Sequence, residues 1–203
     1  MKREERARRD IVRCAQRLWE RRLVTGTSGN VSVKLADGSL LVTPSRRSLA
    51  LLGPGDIVRV AASGELLDAK GLPSSELPLH LAAYRARSDA ACVVHTHPTF
   101  CVVWSRQGRV FPQDTVGARE TLGPVGWVPY RPPGSQELAN LCAEAFATPV
   151  DVVLMERHGL SAIGDALEAA FDTTDLAEEA ARVAYFGTLA GREFSTVEIE
   201  GGS

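Results

Sequence analysis

The sequence predicts an α/β fold: one domain over residues 1–203, with a central, mostly antiparallel β-sheet flanked by helices. Three observations predict it. Helical spacing of apolar residues opens and closes the chain, and short apolar runs separated by Gly, Pro, Asn and Asp fill its middle. The length of 203 residues, 44% hydrophobic and 24% charged, suits a single ordinary core, and no repeat or linker divides it.

The elements follow in order. Ile11, Ala15, Leu18, Trp19 and Leu23 recur near 3.6 residues, which predicts an amphipathic helix over 2–23. Residues 1–22 hold nine basic and four acidic side chains, so a solvated helix face and a nucleic-acid arm both fit, the mixed signs favouring the first. Val31, Val33 and Leu35 alternate with Ser32 and Lys34, and Asp37-Gly38 supplies a two-residue turn into Leu40–Val42. A second strand pair is expected at Ile57–Val60 and Glu65–Leu67 around Ser63-Gly64. After the loop Gly71–Pro73, Ser74 and Ser75 can cap a helix reaching Arg87. Ala91–Val94 reads as a strand, 99–106 as a helix, and 107–134 is too rich in Gly and Pro to assign. Ser135 opens a helix to Ala147, and Val150–Met155 and Leu160–Ile163 are strands. Asp165, with Glu168 three residues on, has the pattern of a cap for a final helix ending near Ala190.

Composition excludes several function classes. No apolar run approaches the roughly 18 residues of a membrane span, and no signal-peptide core follows the charged N-terminus. A net charge of -2 gives no overall attraction to nucleic acid. The four cysteines, Cys14, Cys92, Cys101 and Cys142, are scattered, as in a reduced cytoplasmic protein. Only Lys2, Lys34 and Lys70 are lysines, and each sits in a polar or loop context. A Schiff-base lysine needs an apolar pocket, so imine chemistry is not expected. Nucleotide-binding glycine motifs are absent.

The chemistry-bearing residues concentrate where strands end. The chain has four histidines, and His95 and His97 leave the same face at the end of one strand. His158 follows another strand and precedes Gly159. Strand-end histidines satisfied by neighbours would show the same spacing as ligands. If the two strands adjoin, however, three neutral imidazoles meet at one edge, about 2.0–2.1 Å from a shared zinc or other divalent ion, with a position left open for catalysis. Glu76 and His80 lie one helical turn apart, either as a first-turn acid and a packed histidine or as site residues. Thr25-Gly26-Thr27-Ser28-Gly29-Asn30 is either an ordinary loop or a set of small residues whose amides can approach an anion.

Taken in order, Gly26–Asn30, Thr43-Pro44-Ser45, Ser74-Ser75-Glu76, His95-Thr96-His97 and Arg157-His158-Gly159 resemble the motifs of the class II aldolase/adducin family, nearest to its fuculose-phosphate aldolases and ribulose-phosphate 4-epimerases. The resemblance runs from the first helix to about residue 190. It implies a divalent metal, usually zinc, on His95, His97 and His158, with Glu76 as the catalytic proton carrier. It also implies that Thr27, Gly29, Asn30, Ser45, Ser74 and Ser75 surround a sugar phosphate. The implied reaction breaks or forms a carbon–carbon bond in a ketose phosphate through a metal-stabilised enediolate. Dehydratase, decarboxylase, 4-epimerase and non-catalytic adducin-like readings remain open. The family also implies a homotetramer with sites between subunits, and composition adds a cytoplasmic location with neither nucleic acid nor membrane as partner. Two departures stand out. Arg46 occupies a position where the family usually has glycine and adds a fork suited to an anion, and no tyrosine follows Tyr185.

Overall fold

The computed structural model describes residues 2–68, 71–108, 110–192 and 196–198. Lys70 and most of the C-terminal tail lie outside these residues. The two-residue period of the strands decides the layers. Strands β1 (Asn30–Lys34), β2 (Leu40–Val42), β3 (Val58–Val60), β4 (Cys92–Thr96), β6 (Val125–Val128), β7 (Val152–Met155) and β8 (Gly159–Gly164) form one sheet in the order β3-β2-β1-β4-β8-β7-β6. Every neighbouring pair is antiparallel except β6 with β7. Within the stretch that resisted assignment, β5 (Val110–Pro112) pairs instead with β9 (Thr196–Glu198) in a separate ribbon.

Alternation sends Cys92, Val94, Leu154, Leu160 and Ala162 to one face, where α1 (Lys2–Glu20) and α5 (Leu167–Leu189) cover them. Alanines 170, 177, 180, 181 and 184 form the buried stripe of α5 and allow close approach to the sheet. Val93, Val153, Met155 and Ile163 face the other way, under α2 (Leu77–Ala86) and α4 (Gln136–Phe146). Asn30, Ser32, His95 and Ser161 share that second face and look toward α2, whereas Thr96 alternates to the first. The basic face of α1 is partly neutralised: Arg21 pairs with Asp175 at 3.0 Å and Arg17 with Asp172 at 3.8 Å, both on α5. No described helix is long and apolar enough to cross a membrane.

Several boundaries correct the expectations. α1 stops at Glu20, not 23, because Arg22 turns left-handed (φ 59) and Leu23 N–H bonds the Leu18 carbonyl at 2.9 Å, a Schellman closure with Leu18 and Leu23 both buried. The hairpin loop has three residues, Ala36-Asp37-Gly38, with Gly38 at φ 81, instead of a two-residue turn. Glu65–Leu67 does not continue as a strand: the Asp68 carboxylate takes the Arg59 N–H, and a single bridge joins Leu66 to Val60. α2 begins at Leu77, since the Ser74 hydroxyl accepts the Glu76 N–H at 3.2 Å. Glu76 is therefore the boundary residue, not a member of the first turn. α3 (Thr99–Trp104) is followed by a short 3₁₀ turn, Ser105–Gln107.

Caps divide the same way. Ser135 accepts the Leu138 N–H at 3.1 Å, as expected at the start of α4. Asp165 does not cap α5, because the helix opens at Leu167 and Ala166 takes the cap position without a side-chain bond. Ser135→Ala should accordingly cost about 1 kcal/mol of stability. Asp165→Ala should change it by less than about 0.5 kcal/mol. Paired thermal or denaturant unfolding curves of the two variants check the contrast.

Candidate metal and anion site

Strand ends deliver the three histidines. His95 is the fourth residue of β4, and its neighbour across β8 is Ser161. Its Nδ1–H donates to the Leu160 carbonyl at 2.9 Å, which leaves the Nε2 lone pair pointing out of the sheet. His97 lies just beyond the strand, where its N–H bonds the Leu23 carbonyl at 3.0 Å and ties the loop after α1 to the site. His158 sits in the three-residue β7–β8 turn Glu156-Arg157-His158, which closes because Arg157 is left-handed (φ 56) and Met155 faces Gly159. A Cβ on Gly159 would stand 2.1 Å from the Thr96 carbonyl, so only glycine lets the two turns approach.

The rings form a near-equilateral triangle, with centroids 4.8, 4.9 and 5.0 Å apart and planes mutually edge-on. One ligating nitrogen from each ring lies within 4.8 Å of the others, and the Nε2 atoms of His95 and His97 are 2.9 Å apart. Two nitrogens on one tetrahedral zinc stand about 3.4 Å apart, so adjustments of this size close the set around an ion. Burial depresses all three: His158 to about 4, with His97 adding to the effect, His97 below its ordinary value, and His95 well below. At neutral pH they are uncharged ligands.

Glu76 completes the cluster, with Oε1 4.0 Å from His158 Nε2. Burial pushes its pKa up to about 7, against an opposing pull from the Gly134 amide. Among the described residues three buried polar side-chain atoms lack a partner, and two of them, Glu76 Oε2 and His158 Nδ1, belong to this cluster. Three neutral imidazoles, an adjacent carboxyl and orphaned polar atoms fit a divalent metal.

The expected anion-binding residues are only partly drawn together. Ser45 N–H bonds Leu72 O at 3.0 Å, Ser74 N–H bonds Thr43 O at 3.1 Å, and Pro44 bridges Pro73, so the segments bearing Ser45 and Ser74 lie side by side. Thr43 Oγ1 accepts the Val31 N–H, placing the start of β1 and Asn30 next to them. Gly29 needs its left-handed φ of 79, and a Cβ there would strike Val24 at 2.3 Å, close to the His95 carbonyl. Thr27, Ser75 and Arg46 are exposed and make no side-chain hydrogen bond among the described residues. Arg46 has φ 57, which explains why glycine suits that position.

The segment 130–134, within the Gly- and Pro-rich stretch 107–134, also reaches the site. Gly134 abuts the Ser75 carbonyl, the Tyr130 N–H donates to Glu156 at 3.1 Å, and the Arg157 guanidinium lies 4.8 Å over the Tyr130 ring. Its only sequence signal was a tyrosine and an arginine ahead of Pro-Pro-Gly, which also describes an ordinary loop.

Comparison with known proteins matches the family model for the class II aldolase and adducin N-terminal domain over residues 9–185. An L-fuculose phosphate aldolase of Methanococcus vannielii is 33% identical over 86% of this chain and 93% of its own. A 3-oxo-tetronate 4-phosphate decarboxylase of Escherichia coli is 33% identical over 90% of this chain and 87% of its own. The crystal structure of YgbL from Escherichia coli superposes with a TM-score of 0.84 at 32% identity, covering 96% of this chain and 94% of that one.

His97 is half-buried just beyond the end of β4, so His97→Ala should fold normally yet lose most zinc after dialysis, read by elemental analysis. Full zinc retention in that variant would remove the histidine cluster as the binding site.

Proposed function

Because this chain belongs to the class II aldolase and adducin family, we propose that it is a metal-dependent lyase that breaks or forms a carbon–carbon bond in a sugar phosphate. One observation supports this above the others: His95, His97 and His158 converge as neutral ligands beside the buried carboxyl of Glu76. When bound, a divalent ion such as zinc supplies Lewis-acid charge to oxygens of the substrate.

The chain's own residues do the rest in this reading. Leu160 orients the His95 ring. Glu76 carries a proton between its carboxyl and the substrate carbon that gains or loses the bond, a task suited to a group whose pKa of about 7 lies near working pH. The Gly29 and Asn30 backbone, with Thr27, Ser45, Ser74 and Ser75, holds the phosphate and supplies binding energy remote from the reacting bond. Arg46 adds a cation at the mouth of that pocket. A homotetramer in the cytoplasm and one domain over residues 1–203 belong to the same proposal.

Decarboxylation of a sugar-acid phosphate is the second reading, favoured by the equal identity to the decarboxylase relative. Loss of carbon dioxide leaves the same charge on the same substrate oxygens, so the site serves either outcome. Assaying L-fuculose 1-phosphate and 3-oxo-tetronate 4-phosphate for dihydroxyacetone phosphate and carbon dioxide release separates the two. Inactivity on both, and on a wider panel of sugar phosphates, would overturn the lyase reading.

Two substitutions probe the roles. Glu76→Gln should keep the metal but abolish solvent-deuterium exchange into dihydroxyacetone phosphate; wild-type exchange would exclude Glu76 as the proton carrier. Arg46→Gly should raise the dissociation constant of inorganic phosphate about tenfold, the scale of a charge-assisted contact. An unchanged constant would leave Arg46 as a surface residue.

A further inference from the structure

The proposed chemistry leaves one histidine unused. His80 is fully buried on α2, where its Nε2 meets Asn30 Oδ1 and its Nδ1 lies 2.7 Å from Ser32 Oγ. Ser32 Oγ in turn lies 2.8 Å from the Tyr84 hydroxyl. A polar chain of four side chains thus runs from α2 through β1 to the edge of the anion pocket.

The donors can be ordered by elimination. An amide oxygen only accepts, so the ring proton belongs on His80 Nε2. Nδ1 then offers a lone pair, which the Ser32 hydroxyl fills, and Ser32 accepts from Tyr84. Burial drives His80 down to about 3, so the ring is neutral and each nitrogen has one role. Asn30 is left with its Nδ2 amino group. That group makes no hydrogen bond among the described residues and is not one of the buried unpartnered atoms. The opposite tautomer would turn the amide over and aim a carbonyl oxygen at an incoming anion.

We propose that His80 is a positioning residue for ligand binding: its Nε2–H, set by Ser32 and Tyr84, pins the Asn30 carboxamide so that the amino group faces the ligand's phosphate. The proposal rests on the anion pocket of the preceding reading and adds what gives that pocket its polarity. A buried hydrogen-bonded chain with one consistent direction costs little to maintain, whereas a reversed amide would leave two oxygens facing each other.

The test uses the metal-loaded chain and inorganic phosphate as the probe, with dissociation constants from calorimetry. His80→Met removes the donor and should weaken phosphate binding about tenfold. His80→Gln restores an N–H toward Asn30 and should bind within about threefold of the wild type. In an Asn30→Ala background His80→Met should add no further loss, because its effect passes through that amide. Equal losses with and without Asn30, or unchanged phosphate affinity in the folded His80→Met variant, would overturn the proposal. A second measurement needs no variant: long-range proton–nitrogen correlation of the wild-type histidines should show the His80 proton on Nε2 and a bare Nδ1. A proton on Nδ1 would overturn the positioning role while leaving the anion pocket intact. Failure of the wild-type chain to bind phosphate at all would instead overturn the pocket, and this role with it.

Discussion

The register of three central strands is the constraint on which the candidate site depends. Asn30 of β1 stands opposite His95 of β4, and His95 opposite Ser161 of β8, so a polar row crosses the sheet on the face toward α2. Side chains alternate faces with a period of two, and a slip of one residue in β4 would send His95 into the apolar layer beneath α1 and α5. Val94 packs in that layer and Val93 in the one beneath α2 and α4, so the register alone decides which face the imidazole meets.

Burying this row carries a cost that the fold offsets with directed hydrogen bonds. His80 and His95 are both fully buried, and burial keeps each neutral, the neighbouring imidazoles adding to the effect at His95. Both ring nitrogens of His80 are satisfied by Ser32 and Asn30 and the Nδ1 of His95 by Leu160 and Ser161, which leaves His95 Nε2 facing His97. Toward the open end of the sheet the satisfaction stops. Glu76 Oε2 and His158 Nδ1 have no partners there, and such groups cost about 1–3 kcal/mol each unless a ligand supplies them. The gradient from a satisfied interior to an unsatisfied rim singles out this sheet edge as the candidate site. The names of the relatives in this family, an aldolase and a decarboxylase, span more than one reaction.

Among the described residues three arginines adopt left-handed backbone, Arg22, Arg46 and Arg157, and each closes a turn near the site. Arg22 ends α1 and releases the loop that reaches His97, Arg46 follows the Ser45 turn, and Arg157 shapes the turn carrying His158. A side chain in this region costs on the order of 1 kcal/mol relative to glycine. Arg157 recovers part of that by stacking on Tyr130 and pairing with Glu156 at 3.3 Å.

Much of this was legible in the sequence alone. Period-two and period-3.6 patterns located most strands and helices, because the apolar face must be buried whatever the tertiary partner. Short motifs named His95, His97, His158 and Glu76, because few residue types can ligate a metal or carry a proton. What stayed hidden depended on particular contacts that apolar periodicity does not encode, some local and some between distant segments. Asp68 stopped a strand by taking the Arg59 N–H, Leu23 closed α1 early through Arg22, and the 130–134 segment came to rest against Ser75. His80 illustrates the division best. Its spacing from Glu76 suggested a shared helical face, yet Glu76 lies at the helix boundary and turns to His158, while His80 turns to Asn30 and Ser32. Local sequence sets which groups are available and which face they occupy; only the packing of α2 on β1, fifty residues apart in the chain, decides what each group touches.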